Sequence, residues 1–191
     1  MIRYKELPWN DAELADLYDS IEMKVHVKAI YEVIIEDLSG ISFHKTAVEP
    51  YVKDFTFWEK YSRWKTEFDI SNWHFYVAFD EDYPIGGAAL CHKTPQIHML
   101  DGREDLGVLW DIRVDSMYKH HGIGQCLFDR VRENAKALGL KQLKIECQNN
   151  NVPAVNFYLK QGAHIGAINK YAYYKEKYIS DEVQLLLYLD L

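Results

Sequence analysis

A mixed sheet with helices packed on its faces is the fold class this chain predicts, on three observations. Its 191 residues are 48% hydrophobic, enough for a real core and too many for a disordered chain. Alternating, strand-like segments dominate the first half. From Val108 onward, strand, helix, strand, helix and two further strands follow in turn, an order that sets helices against a sheet. No Pro/Gly/Ser-rich linker and no repeat divides the chain, so a single domain over 1–191 is expected.

The segment up to Leu7 reads as a strand. Asp11 to Ile21 carries Leu14, Leu17, Tyr18 and Ile21 at helical spacing, with Asn10 as its N-cap. Val25 to Val33 alternates as a strand, Ser39-Gly40 turns, and Ile41 to Val48 returns. Trp58, Tyr61 and Trp64 predict a helix over 57–68, with the stripe read mainly as core and secondarily as a substrate cage. Phe75–Phe79 and Ile85–Cys91 flank an Asp80–Pro84 turn and form a hairpin. Val108–Val114 is a short apolar strand. Gly122–Leu138 is an amphipathic helix with Ile123, Leu127, Val131, Ala135 and Leu138 on one face and Gly139 as its stop. Leu143–Cys147 alternates, Asn149–Asn151 breaks the pattern, and Val152–Gln161 is a helix with Pro153 in its first turn, where a missing N–H costs nothing, and Gly162 at its end. Strands over about 165–173 and 183–189 close the chain.

The net charge of −7 and pI of about 5.6 exclude a duplex nucleic-acid partner, which calls for a basic surface, and sit better with a cationic substrate. No run approaches the roughly 18 apolar residues of a membrane span, and Met1–Glu6 does not open like a cleavable signal, so a cytoplasmic protein is expected. Cys91, Cys126 and Cys147 are odd in number, widely spaced and beside aliphatic residues. They read as buried thiols and not as a disulfide framework or a zinc site.

The chemistry concentrates in Lys119-His120-His121-Gly122-Ile123-Gly124, a basic loop between a strand and a helix. Glycines at a helix start admit a ligand close to the backbone, and the unpaired first-turn N–H groups favour an anion. A plain flexible loop would look the same in isolation. No GK[ST] closes it, which excludes Walker A, and the third glycine of the Rossmann pattern is missing. Neighbours in sequence such as His120 and His121 rarely converge on one ion, so no metal is expected.

That loop, followed about 25 residues later by Asn151-x-x-Ala154-x-x-Phe157-Tyr158 with Lys160 and Gly162, resembles the GNAT acetyltransferase superfamily, whose acetyl-CoA loop reads (Gln/Arg)-x-x-Gly-x-(Gly/Ala). The resemblance covers Val108 to the C-terminus, and Phe75–Cys91 by hairpin pattern alone. Trp110-Asp111-Ile112 and Glu146-Cys147-Gln148-Asn149-Asn150 look like the streptothricin acetyltransferase subgroup. Lys119 stands for the usual Arg or Gln, His120 for a common Gly and Ala163 for a common Phe. The charge at 119 survives, whereas a histidine at 120 bears on the loop's shape.

The resemblance implies a central mixed, mostly antiparallel sheet with helices on both faces. Residues 1–70 would be an acceptor-side elaboration and 73–191 the acetyl-CoA-binding core. It implies an enzyme that passes acetyl directly from acetyl-CoA, as co-substrate and without metal, to a primary amine of a small cationic molecule, an antibiotic such as a streptothricin being the example. A protein amine as acceptor and a non-catalytic acyl-CoA-binding module are the alternatives. Ile112, Arg113, Val114 and the Lys119–Gly124 loop (Lys119, His120, His121, Gly122, Ile123, Gly124) would bind the cofactor, with Asn151 on the pantetheine arm or as a helix N-cap. Tyr158, matched to the family's acid, would protonate the departing thiolate; otherwise it is a core aromatic. Asp111 and Glu146 would bind the amine or act as base, or else be structural charges. Tyr171, Tyr173, Tyr174 and Tyr178 read equally as an acceptor wall or as a sheet edge or homodimer contact.

Overall fold

The computed structural model describes residues 1–191. In chain order its strands are β1 (Ile2–Leu7), β2 (Lys24–Glu36), β3 (Gly40–Asp54), β4 (His74–Asp80), β5 (Tyr83–Cys91), β6 (Leu106–Val114), β7 (Gln142–Gln148), β8 (His164–Asn169) and β9 (Gln184–Asp190). The helices are α1 (Leu14–Asp19), α2 (Tyr61–Glu67), α3 (Ile123–Ala137) and α4 (Val152–Lys160). This is a mixed α/β fold whose paired strands are mostly antiparallel. The chain gathers into two compact units that interleave in sequence. Met1–Lys24, Asp54–Lys144 and Asp190–Leu191 form the first; Val25–Lys53 and Ile145–Leu189 form the second. No helix is long and apolar enough to cross a membrane.

In the first unit, strands run in the order β1-β4-β5-β6, each antiparallel to the next. Adjacent glycines on β5 show what lies on each side. A Cβ at Gly86 would press on Ile123 and Leu127 of α3 at 3.1 Å, and one at Gly87 would strike the Tyr18 ring of α1 at 2.7 Å. Neighbouring residues of a strand face opposite ways, so α3 and α1 cover opposite faces of this sheet. Gly87 is glycine because the Tyr18 ring needs the space. Ile123, Leu127, Val131 and Ala135 of the α3 stripe are buried, as its periodicity predicts, with Phe128 buried beside them, whereas Leu138, expected on the same face, follows the last turn and is exposed. The other face holds Leu14, Tyr18, Tyr61, Trp64, Trp73 and Phe75 in one core. Beyond the end of β5 lies His92, buried, stacked on His74 at 5.5 Å, with neither ring nitrogen hydrogen-bonded. Burial pushes its pKa down to about 4.

In the second unit β2 and β3 form a long hairpin, and β8 and β9 pair antiparallel. Asn149 knits this unit. Its side chain donates to the Tyr31 carbonyl (2.9 Å) and accepts from the Val183 amide (2.9 Å), while its own carbonyl accepts from the Tyr31 amide (2.9 Å).

Several local expectations shift. The first helix has only six residues and starts at Leu14; Asn10 does not cap it, because the chain turns first through Asp11 N–H to the Pro8 carbonyl. The second starts at Tyr61, where the Asp19 carboxylate accepts the amides of Tyr61 (2.6 Å) and Ser62 (3.3 Å), a cap supplied by a distant residue. Trp58 therefore falls outside the helix and is exposed, whereas Tyr61 and Trp64 are core. The strand expected over 165–173 stops at Asn169, whose side chain accepts the Tyr171 amide (2.9 Å) and turns the chain. Cys91 and Cys147 are buried, but Cys126 lies off the apolar stripe of α3 and is exposed.

Candidate active site

In the first unit the site grows from β6. Ala89 pairs with Asp111 and Leu90 with Leu109, so Trp110 has no partner on β5. This bulge takes one residue's backbone groups out of the ladder. Beyond it Ile112, Arg113 and Val114 pair with Ala88, Gly87 and Gly86. Asp115 then closes a short turn by accepting the Met117 amide (2.9 Å), and the chain enters the basic loop.

The loop's shape is a backbone matter. His120 (φ +66°) and Gly122 (φ +80°) both take the left-handed conformation, which explains why glycine is common at the first position and what the histidine costs there. No atom lies within 4 Å of where a Gly122 Cβ would stand, and Gly124 would meet only Val114 at 3.7 Å. Gly122 caps α3 with no side-chain hydrogen bond, and no acidic residue occupies the first turn. The start of this 15-residue helix thus carries neither a side-chain cap nor an acidic residue, an arrangement whose dipole favours an anion. His121 Nδ1 lies 2.9 Å from the Lys119 carbonyl. The half-buried Lys119 ammonium donates to the Lys24 carbonyl, and burial lowers its pKa.

Asp111 sits in a buried ion pair. Its Oδ2 accepts from Arg113 Nε (2.8 Å) and from the Tyr18 hydroxyl (2.6 Å), and the side chains of both Asp111 and Arg113 are only 1% exposed. Arg113 also donates to the Glu59 carbonyl (2.7 Å) and lies over the rings of Tyr18 (5.0 Å) and Trp64 (5.8 Å). Burial and the Asp111 charge hold the Tyr18 hydroxyl well above the usual phenol range. Tyr18 and Arg113 thus enclose the carboxylate, and the guanidinium is as deeply buried as its partner. Asp111 Oδ1, Arg113 Nη1 and Trp110 Nε1 are buried without partners.

In the second unit Glu146 and Gln148 share one face of β7, and Cys147 points the other way, its thiol pushed up to about 12, first by burial. Glu146 Oε1 accepts from the Tyr173 hydroxyl (2.7 Å), and Gln148 Nε2 donates to the same hydroxyl (3.2 Å). Asn151 caps α4 by accepting the Ala154 amide (3.3 Å), which leaves its side-chain N–H₂ for another acceptor. Tyr158 lies on α4, 6% exposed, its ring edge-on to Phe157 at 5.4 Å. The tyrosine group splits: Tyr171, Tyr174 and Tyr178 are exposed, and Tyr173 is turned in toward Glu146. Sequence reasoning missed the Tyr18 and Tyr173 contacts, which join residues 93 and 27 positions apart. It could have found the Asp111–Arg113 pair, since opposite charges two apart on a strand share a face.

The sequence profile of the acetyltransferase (GNAT) family matches residues 41–163. The chain belongs to the GNAT acetyltransferase family. This GNAT protein is an acetyl-CoA-dependent N-acetyltransferase. It is 26% identical over 163 residues to streptothricin acetyltransferase of Escherichia coli, covering 85% of this chain and 83% of that one. Its fold is similar to that of a Bacillus anthracis protein assigned as a streptothricin acetyltransferase and solved in complex with acetyl coenzyme A. There the TM-score is 0.78 at 24% identity, over 100% of this chain and 98% of the other. A nourseothricin acetyltransferase structure gives a TM-score of 0.77 at 19% identity, over 99% and 98%.

Proposed function

We propose that the acceptor is a primary amine on a small cationic molecule of the streptothricin class. The observation that carries this reading is the 26% identity to a streptothricin acetyltransferase across 85% of the chain. Acetyl-CoA would supply the thioester that the amine attacks. The Lys119–Gly124 loop and the opening amides of α3 would hold its diphosphate, with the main chain of Ile112–Val114 and the Asn151 amide on its pantetheine arm.

An alkylamine with a pKa of about 10.4 is cationic at neutral pH. A carboxylate with no cation of its own suits it, and Glu146 forms no ion pair. We assign Glu146 to binding the ammonium and Tyr158 to returning a proton to the departing thiolate, as a phenol of pKa about 10 can. Asp111, sealed beside Arg113, is assigned to structure and not to the base role.

The test is a thiol-release screen with acetyl-CoA over streptothricin, aminoglycosides, polyamines and peptides. Streptothricin is expected to be the best of the four by kcat/KM, and preference for peptides would overturn the reading. With the acceptor in hand, Tyr158→Phe keeps the ring and removes the donor, so kcat should fall by roughly 10²–10⁴ with little change in acetyl-CoA affinity. Unchanged turnover, where chemistry limits the rate, would remove Tyr158 from the mechanism.

A further inference from the structure

The segment between β8 and β9 carries four tyrosines and is tied to the second unit at both ends. At its start the Tyr173 hydroxyl donates to Glu146 Oε1 (2.7 Å) and receives from Gln148 Nε2 (3.2 Å). At its end Glu182 is ion-paired with Lys53 of β3, and the Val183 amide donates to Asn149 Oδ1 (2.9 Å). Between these anchors Tyr174 and Tyr178 stand exposed beside Lys175 and Lys177.

The two carboxylates near Tyr173 differ. Glu182 has Lys53 as counter-charge, whereas Glu146 forms no ion pair and accepts one hydrogen bond, from a neutral donor. That donor is dependable: burial, followed by the Glu146 charge, holds the Tyr173 hydroxyl far above the usual phenol range, so it stays protonated at any working pH. Gln148 fixes it further by donating to its oxygen, so the remaining hydroxyl proton goes to Glu146. Glu146 Oε1 is thereby held and Oε2 is left without a hydrogen bond.

We infer that Tyr173 is a positioning residue for the acceptor: it clamps one oxygen of Glu146 so that the other is presented to a cationic amine, and it couples that carboxylate to the order of the 170–183 segment. This rests on the proposed role of Glu146. It predicts that acceptor binding and the order of the segment respond together when either partner is changed. Ion-pair strength without the clamp would survive, but its direction would be lost, because a free carboxylate turns about its terminal torsion.

The experiment is a double-mutant cycle on the full chain with Tyr173→Phe and Glu146→Ala, read in two ways. With streptothricin as acceptor, Tyr173→Phe is expected to raise the acceptor KM roughly tenfold, the usual worth of a hydrogen bond to a charged group, with kcat and the acetyl-CoA KM within about twofold. In the Glu146→Ala background the same change should move the acceptor KM by less than about twofold. Equal effects in both backgrounds would overturn the proposal and reduce Tyr173 to packing. The second readout needs no acceptor: amide hydrogen exchange over 170–183. Each single variant should speed it, and the double variant should speed it no further; additive changes would overturn the coupling. If streptothricin is not acetylated by the wild-type chain, the substrate reading falls, while the exchange cycle still decides the Tyr173–Glu146 coupling. Gln148→Met, which leaves the tyrosine in place, serves if Tyr173→Phe does not fold, with a smaller rise in acceptor KM expected and no rise overturning the clamp.

Discussion

Asp111 on β6 and Glu146 on β7 look alike in sequence, and each accepts a hydrogen bond from a tyrosine, at 2.6 and 2.7 Å. Their surroundings part them. Asp111 carries its own counter-ion two residues away and is closed under α1 and α2, whereas Glu146 has neutral partners, partial exposure and one unused oxygen. The first carboxylate has its charge met inside the fold by Arg113; the second has only the Tyr173 hydroxyl. The lesson is to ask of a strand carboxylate what stands two residues away before giving it chemistry.

The largest expected effect breaks the first of these regions. Asp111→Asn leaves the Arg113 guanidinium buried and unpaired, so stability should fall by about 3–5 kcal/mol in denaturant titration. Replacing both, Asp111→Leu with Arg113→Met, should be milder than the single change, because no charge is then left uncompensated. A double variant worse than the single would mean that the pair contributes net stability. A smaller effect separates the first region by pH. His92 binds its proton at about 4 in the folded chain and near 6.5 when unfolded. Between those values the unfolded state holds more protons, so this contribution is present above pH 6.5 and lost as pH falls toward 4, by roughly 3 kcal/mol at most. His92→Phe should flatten that part of the stability curve; an unchanged slope would assign it to other groups. The smallest effect on stability belongs to Glu146→Gln, expected within about 0.5 kcal/mol, since no buried partner loses a charge. A loss as large as that of Asp111→Asn would erase the distinction between the two carboxylates.

What could be read in the sequence follows the range of the forces involved. The β6–α3–β7–α4 run was legible because its signals are local: the α3 stripe, Gly122 and Gly139 at its ends, Asn151 capping α4 and Pro153 in the first turn. The early helices were misjudged because distant contacts set their limits. Asp19 starts α2 from 42 residues away, and that decides that Trp58 lies outside while Tyr61 lies in the core. The tyrosines of 171–178 could not be sorted by composition, since Tyr173 differs from its neighbours only in what it meets. Of the candidate site, the glycine loop was plain from residue type alone, whereas the fates of Asp111 and Glu146 depended on Tyr18, Arg113 and Tyr173.

All five tryptophans, at positions 9, 58, 64, 73 and 110, belong to the first unit, and Trp64, Trp73 and Trp110 lie within 5.1–6.4 Å of one another there. The second unit has none. Tryptophan emission during melting is thus a one-sided spectrometer, blind to the unit that holds Glu146, Tyr158 and Tyr173. Far-ultraviolet circular dichroism sees both. Where the two transitions coincide the molecule melts as one cooperative body, and where they part the emission curve times the first unit alone.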